Sequence, residues 1–250
     1  MASGGRSSSG SDVMPVNLGA EIHPKGLFEA ISFIEQNFAN ELGGAVIRQD
    51  FLTTKQRLEF FEVGFRSAFL SGLVTALLAP LAIGVIEHHI PVFGSSSPNL
   101  FDTLFALLLA VGFSLGYALF LAISCTKFIG HFTRAMIFNL LGGVVSGAIL
   151  KTVVAVIFFH FLYLFALSDA HLKWAALKLY ETPLSPQAVQ SIFAWVAAFR
   201  PTLLTAAWFV VFTTRVFLAI PFAALLCALR RNRRLIRAGL VKLPDQKRSR

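Results

Sequence analysis

Two cations stand where a membrane protein can least accommodate them. Arg215 is the one charge in the apolar run Leu203 to Leu229, and Lys151 lies inside a second apolar run, Ala135 to Leu167. A charge at the bilayer centre costs about 2.5–3.5 kcal/mol on insertion scales, so such residues normally turn to the bundle interior and find a partner. No acid occupies the middle of any apolar run: Glu59 and Glu62 precede the first, and Glu87, Asp102 and Asp169 lie in or beside the connections. Three outcomes are open. Lys151 can snorkel to the interface while Arg215 bonds Asn139, Thr213, Thr214 or carbonyls freed by proline. Arg215 can meet an acid on another protein's helix. Or the two can line a cavity for an anion, a phosphate or a lipid headgroup, to which the bidentate guanidinium is suited.

A second polar group gathers Glu87, His88, His89, Asp169 and His171. Histidine with carboxylate is the donor set of a transition metal. The spacing matches no recognised site and the residues come from separate connections, so they are weak candidates and no metal or other cofactor is expected. Enzyme motifs are absent: there is no Gly-x-Ser-x-Gly, no P-loop, no His-Glu-x-x-His and no paired acids within an apolar run. The chain reads as non-enzymatic.

The elements that carry these residues follow from composition. The chain is 56% hydrophobic and only 14% charged, with 26 Phe, against about 25% charged in a soluble domain. The fold expected is all-α, a polytopic bundle of about four transmembrane spans. A run of about 20 apolar residues crosses the hydrocarbon core as a helix. Spans are expected near 67–90, 100–124, 135–167 and 201–229. The third, about 33 residues, is one long tilted helix of ~50 Å, since nothing near Lys151 could turn the chain. Pro80 and Pro221 should kink the first and fourth. Gly112-x-x-x-Gly116 and Gly143-x-x-x-Gly147 each clear a helix face for close approach of another backbone. Phe158, Phe159, Phe161, Tyr163 and Phe165 are candidates for an outer aromatic belt.

Outside the spans the chain divides simply. Residues 1–22 are Gly/Ser-rich, lack the apolar core of a signal peptide and should be disordered. Residues 23–65 form an amphipathic cytoplasmic helical region, with Leu27, Ile31, Ile34, Phe38 and Leu42 on one face of a helix that Gly43-Gly44 ends. Its polar side carries Glu29, Glu35 and Glu41, so it should pack on protein, in this chain or a partner, rather than on anionic lipid. Between Cys125 and Phe138 the chain is an amphipathic cytoplasmic interfacial connection, with Lys127, His131 and Arg134 alternating with Phe128, Ile129, Phe132 and Ile137, and Ser191 to Phe199 forms a short helix lying flat on the outer interface. The tail 230–250 carries nine Lys/Arg.

Topology follows from where the cations fall. Arg48, Lys55, Arg57 and Arg66 precede the first span, Lys127 and Arg134 follow the second, and the tail is basic; the loop after the first span has none. Both termini are therefore expected in the cytoplasm, with a bacterial inner membrane as the default location. The net charge of +9 is explained by orientation and anionic headgroups, and nucleic acid is not an expected partner. Cys125 and Cys227 fall near the cytoplasmic ends, where thiols stay reduced. The expected partners are membrane lipids and other membrane subunits or further copies of this chain. The expected role is a subunit or accessory of a larger membrane assembly of the secretion or transfer type. The alternative is a small oligomeric transporter or channel-like protein for an anionic solute or lipid.

Overall fold

The computed structural model describes residues 23–42, 53–87, 89–91, 97–127, 134–180 and 185–238. Every regular element in them is helical: α1 (Leu27–Leu42), α2 (Thr54–Ile86), α3 (Leu100–Leu107), α4 (Phe113–Lys127), α5 (Arg134–Phe161), α6 (Asp169–Tyr180) and α7 (Pro186–Arg237). Three helical stretches are long and apolar enough to cross a membrane: Thr54–Ile86, Arg134–Ala166 and Pro186–Leu235. Between the first two, residues 100–127 form one helical rod, divided by a π-helical turn at Leu108–Gly112. A second π turn, Leu162–Ala166, ends α5. The expectations for residues 1–22, Gly43-Gly44, His88, 128–133 and 239–250 lie outside the described residues.

Local chemistry sets the starts. Thr53 caps α2 by accepting from the Gln56 N–H, while the Gln56 side chain accepts from the Thr53 N–H. Asn99 and Asp102 repeat that capping box at α3. At the far end of α2 the chain folds back on itself. The amides of His89 and Ile90 donate to the Gly84 carbonyl, and Ile90 lies where a Cβ on Gly84 would stand 2.6 Å from its Cδ1.

The helices alternate in direction. Along α2 and α5 the contacts climb together, from Phe65 beside Gly147 to Gly72 beside Lys151, so this pair is parallel. The rod 100–127 runs the other way: Ala106 packs with Ala82 and Val85, whereas Tyr117 bonds Ser67. α7 also descends. Leu203 and Ala206 share a cluster with Ala155 and Phe159, and Leu225 and Ala228 share one with Leu140 and Val144. The α2–α5 seam is the closest. A Cβ on Gly143 would overlap the Phe61 carbonyl, one on Gly64 the Leu140 carbonyl, and one on Gly147 would stand 2.5 Å from the Phe65 oxygen. Only glycine permits that approach.

α1 lies across one end of this bundle. Ala30 and Ile34 are fully buried in a cluster with Phe60, Leu121 and Ile137. The Asn37 amide donates to Met136 Sδ at 3.4 Å. Leu27, Ile31 and Phe38 pack on the same cluster. The apolar face of α1 is thus covered by this chain, and a second protein is not needed to cover it.

Two further expectations change. No separate flat helix occupies 191–199, because α7 runs unbroken for 52 residues through Pro201 and Pro221, ~78 Å at the usual rise. Beside Pro201, Thr202 Oγ1 donates to the Phe199 carbonyl at 2.6 Å and Arg200 pairs with Asp169 at 2.6 Å. Phe159 is a core residue, only 1% exposed, while Phe158, Phe161 and Phe165 face outward.

Candidate functional site

The two cations occupy opposite sides of one wall. Lys151, on α5, points inward and is only 9% exposed. Its Nζ donates to Thr214 Oγ1 on α7 at 3.0 Å. Thr152 Oγ1 lies 2.8 Å from the same Thr214 hydroxyl and 2.8 Å from the Ala148 carbonyl. The hydroxyl pair is therefore anchored to the α5 backbone. The aliphatic stem of Lys151 crosses α2 at Gly72, where a Cβ would stand 2.8 Å from Lys151 Cδ. An ammonium has three donors. One is used on Thr214, and among the described residues no carboxylate answers the charge.

Arg215 follows Thr214 by one residue, and successive helical positions are about 100° apart. Thr214 is buried and Arg215 is exposed. It belongs to a stripe of outward residues at alternating spacings of three and four: Trp208, Phe212, Arg215, Ala219, Phe222 and Leu226. Trp208 is 76% and Phe212 63% exposed. No described residue accepts from the Arg215 guanidinium. The bonds expected for it go elsewhere: Asn139 donates to the Ala135 carbonyl, Thr213 to Phe209 and Val210 carbonyls, and Thr214 belongs to Lys151. Nor does Lys151 snorkel. The structure does not bring Arg215 and Lys151 to one cavity.

Lys151 lines a cavity of about 360 Å³ between α2, the rod 100–127, α5 and α7. Its wall is mostly apolar, with hydroxyls from Ser71, Thr75, Ser114 and Thr213. The Tyr117 ring stacks on Phe217 at 5.6 Å and 7° and closes one side. Leu109, from the π turn, closes another. That turn was not legible in the sequence, though such turns are frequent at functional sites.

The glycine pairs separate in the same way. Gly143 and Gly147 sit in the α2–α5 seam. Gly112 and Gly116 are exposed; a Cβ on Gly116 would meet nothing within 4 Å, and one on Gly112 only Leu108 at 3.7 Å. The close packing expected of Gly112 and Gly116 is thus not made among the described residues. Gly64, which the sequence reading did not single out, takes that role instead. It lacks a glycine partner four residues away, but Gly64, Ala68, Gly72 and Ala76 form a small-residue stripe at spacing four that could have marked it.

The described members of the His/acid group do not converge. Asp169 accepts from Arg200, whose guanidinium also lies 4.9 Å over the Tyr163 ring. His171 Nδ1 pairs with Ser168 Oγ at 2.8 Å, and Glu87 lies 3.7 Å from His89. Among the described residues no three His, Cys, Asp or Glu side chains gather around a point that could hold a metal. Comparison with protein-family models, curated proteins and solved structures yields no match, so geometry alone carries the functional argument.

Proposed function

We propose that this chain is a non-enzymatic integral membrane protein of four spans. In this reading α2, the rod 100–127, α5 and α7 cross a bacterial cytoplasmic membrane with both termini inside, and the protein serves as a subunit or accessory of a larger membrane assembly. The orientation is supported by charge. The end of the bundle carrying α1 also carries Lys55, Arg57, Arg66, Lys127, Arg134 and the arginines after Arg230. At the opposite end Lys173, Lys178 and Arg200 are offset by Glu87, Asp102 and Asp169.

The observation that carries the assembly role is Arg215. It sits about midway along the apolar part of α7, ~18–21 Å from either end of that run at the usual rise, on a stripe of exposed aromatic and aliphatic residues. Facing lipid alone, it would hold a charge at about the most expensive depth. A partner helix bearing Asp or Glu at the matching depth removes that cost and covers the stripe. The transport alternative asks both cations to line one internal path, and Arg215 lies outside it.

The test is gentle purification in nanodiscs with identification of co-migrating proteins. A stoichiometric membrane partner is expected. Arg215→Leu should release it at unchanged abundance of this chain, and an acid-to-neutral change on the partner should do the same. Retention of the partner by Arg215→Leu would sink the assignment of Arg215 as the contact.

A further inference from the structure

We infer that the cavity beside Lys151 is an intramembrane binding site for an anionic amphiphile: one oxyanion head, carboxylate or phosphate, on an apolar tail. This site does not depend on the assembly role of Arg215, which faces away from it.

Four features specify the ligand. The first is charge. Lys151 is only 9% exposed, makes one hydrogen bond to a described residue, the neutral Thr214, and lines the cavity wall. A buried cation left without a counter-charge is expensive, and a bound oxyanion supplies that charge together with acceptors for the remaining N–H groups. The second is a polar margin: Ser71, Thr75, Ser114 and Thr213 put hydroxyls on the same wall, although those of Ser71, Thr75 and Thr213 donate to carbonyls of their own helices, which leaves the Lys151 ammonium as the main donor. The third is the remainder of the lining, which is apolar and suits a hydrocarbon tail. The volume, about 360 Å³, lies within the ~300–1,000 Å³ range of small-molecule sites. It suits a single tail, or a lipid headgroup whose tails stay in the bilayer.

The fourth is access. Val74 on α2 and Phe113 on α4 both line the cavity and are each 62% exposed. The mouth therefore opens sideways between α2 and the rod 100–127, onto the apolar exterior rather than toward either end of the bundle. The π turn at Leu108–Gly112 lies at this mouth and contributes Leu109. Gly72 completes the site by leaving room for the lysine stem.

The experiment uses the full chain in mild detergent, with native mass spectrometry counting bound laurate, dodecyl phosphate or dodecanol. Laurate and dodecyl phosphate are expected to bind at one per chain and to compete, with dodecanol at least tenfold weaker. Lys151→Met should weaken both anions at least tenfold and leave dodecanol unchanged. Leu109→Trp keeps the ammonium but fills the cavity, and should abolish all three; it decides the matter if Lys151→Met does not fold. Arg215→Leu should bind as the parent does. Added phosphatidylglycerol separates the sources: displacement of laurate assigns the site to a bilayer headgroup, and no displacement assigns it to a free single-tailed acid. Equal binding of dodecanol and laurate, or undiminished laurate binding by both Lys151→Met and Leu109→Trp, would overturn the proposal.

Discussion

Thr214 and Arg215 are neighbours in the chain and belong to different environments. Thr214 turns into the four-helix interior and takes the Lys151 ammonium at 3.0 Å. Arg215 turns out, between Phe212 and Ala219, where no described residue meets it. The glycines divide likewise: Gly143 and Gly147 bring two backbones together, whereas Gly112 and Gly116 stand on an open face. Residues adjacent in the chain, or alike in type and spacing, therefore do different work inside and outside the bundle. Inside, a polar or small residue has its consequence within this chain. Outside, it has one only through lipid or a second molecule.

The sharpest way to break this comparison is to add side chains to both glycine faces. Gly143→Val drives Cβ and a methyl pair into the Phe61 backbone, which cannot move aside as a side chain could. Overpacking of this kind costs about 3 kcal/mol or more, and thermal unfolding in detergent should register it as a large drop or a failure to accumulate. Next in size is Thr214→Val, which strips Lys151 of its hydroxyl acceptor while preserving shape. Leaving a buried polar group unmatched costs about 1–3 kcal/mol, and the same melting assay should show a loss that Lys151→Met largely restores in the double variant. A full loss in that double variant would mean that the hydroxyl stabilises through Thr152 rather than through Lys151.

Smaller effects sharpen the outer side. Asp169→Asn removes an ion pair whose carboxylate is 80% exposed. Exposed pairs contribute at most about 1 kcal/mol, so a modest shift, reduced further at high salt, is expected in the melting temperature. Gly116→Val should change the stability of the isolated chain by no more than about 0.5 kcal/mol, as for other surface positions. A loss comparable with Gly143→Val would show that this face is covered by a second copy in the purified sample, readable from the mass of the complex.

Much of the helical framework was legible in the sequence. Apolar runs bounded by polar clusters marked α2, the rod 100–127, α5 and the lower part of α7, because lipid-length helices leave a compositional signal that needs no tertiary context. The periodicity of Leu27, Ile31, Ile34 and Phe38 marked α1, and its buried positions Ala30 and Ile34 lie on that face. The continuity of α7 was not legible. Arg200-Pro201 reads locally as a break, and the helix is carried through it by packing on both sides, with Phe199 before it and Leu203, Ala206 and Ala207 after it set against Ala155 and Phe159. The π turns were hidden for the same reason: one extra residue in a helical turn leaves no mark in an apolar run.

For the candidate site the division is sharper. The residue types alone determined that Lys151 and Arg215 lie in apolar runs with no acid beside them, and left open whether they snorkel, bond within the chain, meet a partner's acid or line an anion cavity. They could not determine direction. A helix of near-uniform apolarity has no polar face to orient it, so rotation about its axis is set by packing. Here that packing is the glycine seam between α2 and α5, together with the place α7 takes against them. The seam brings Gly72 under the Lys151 stem, and Thr214 closes over its ammonium; Arg215, one position on, is then carried to the exterior. The two unmatched cations came from the sequence, and their division between an inner cavity wall and an outer stripe was decided by the tertiary structure, because packing alone sets the rotation of a uniformly apolar helix.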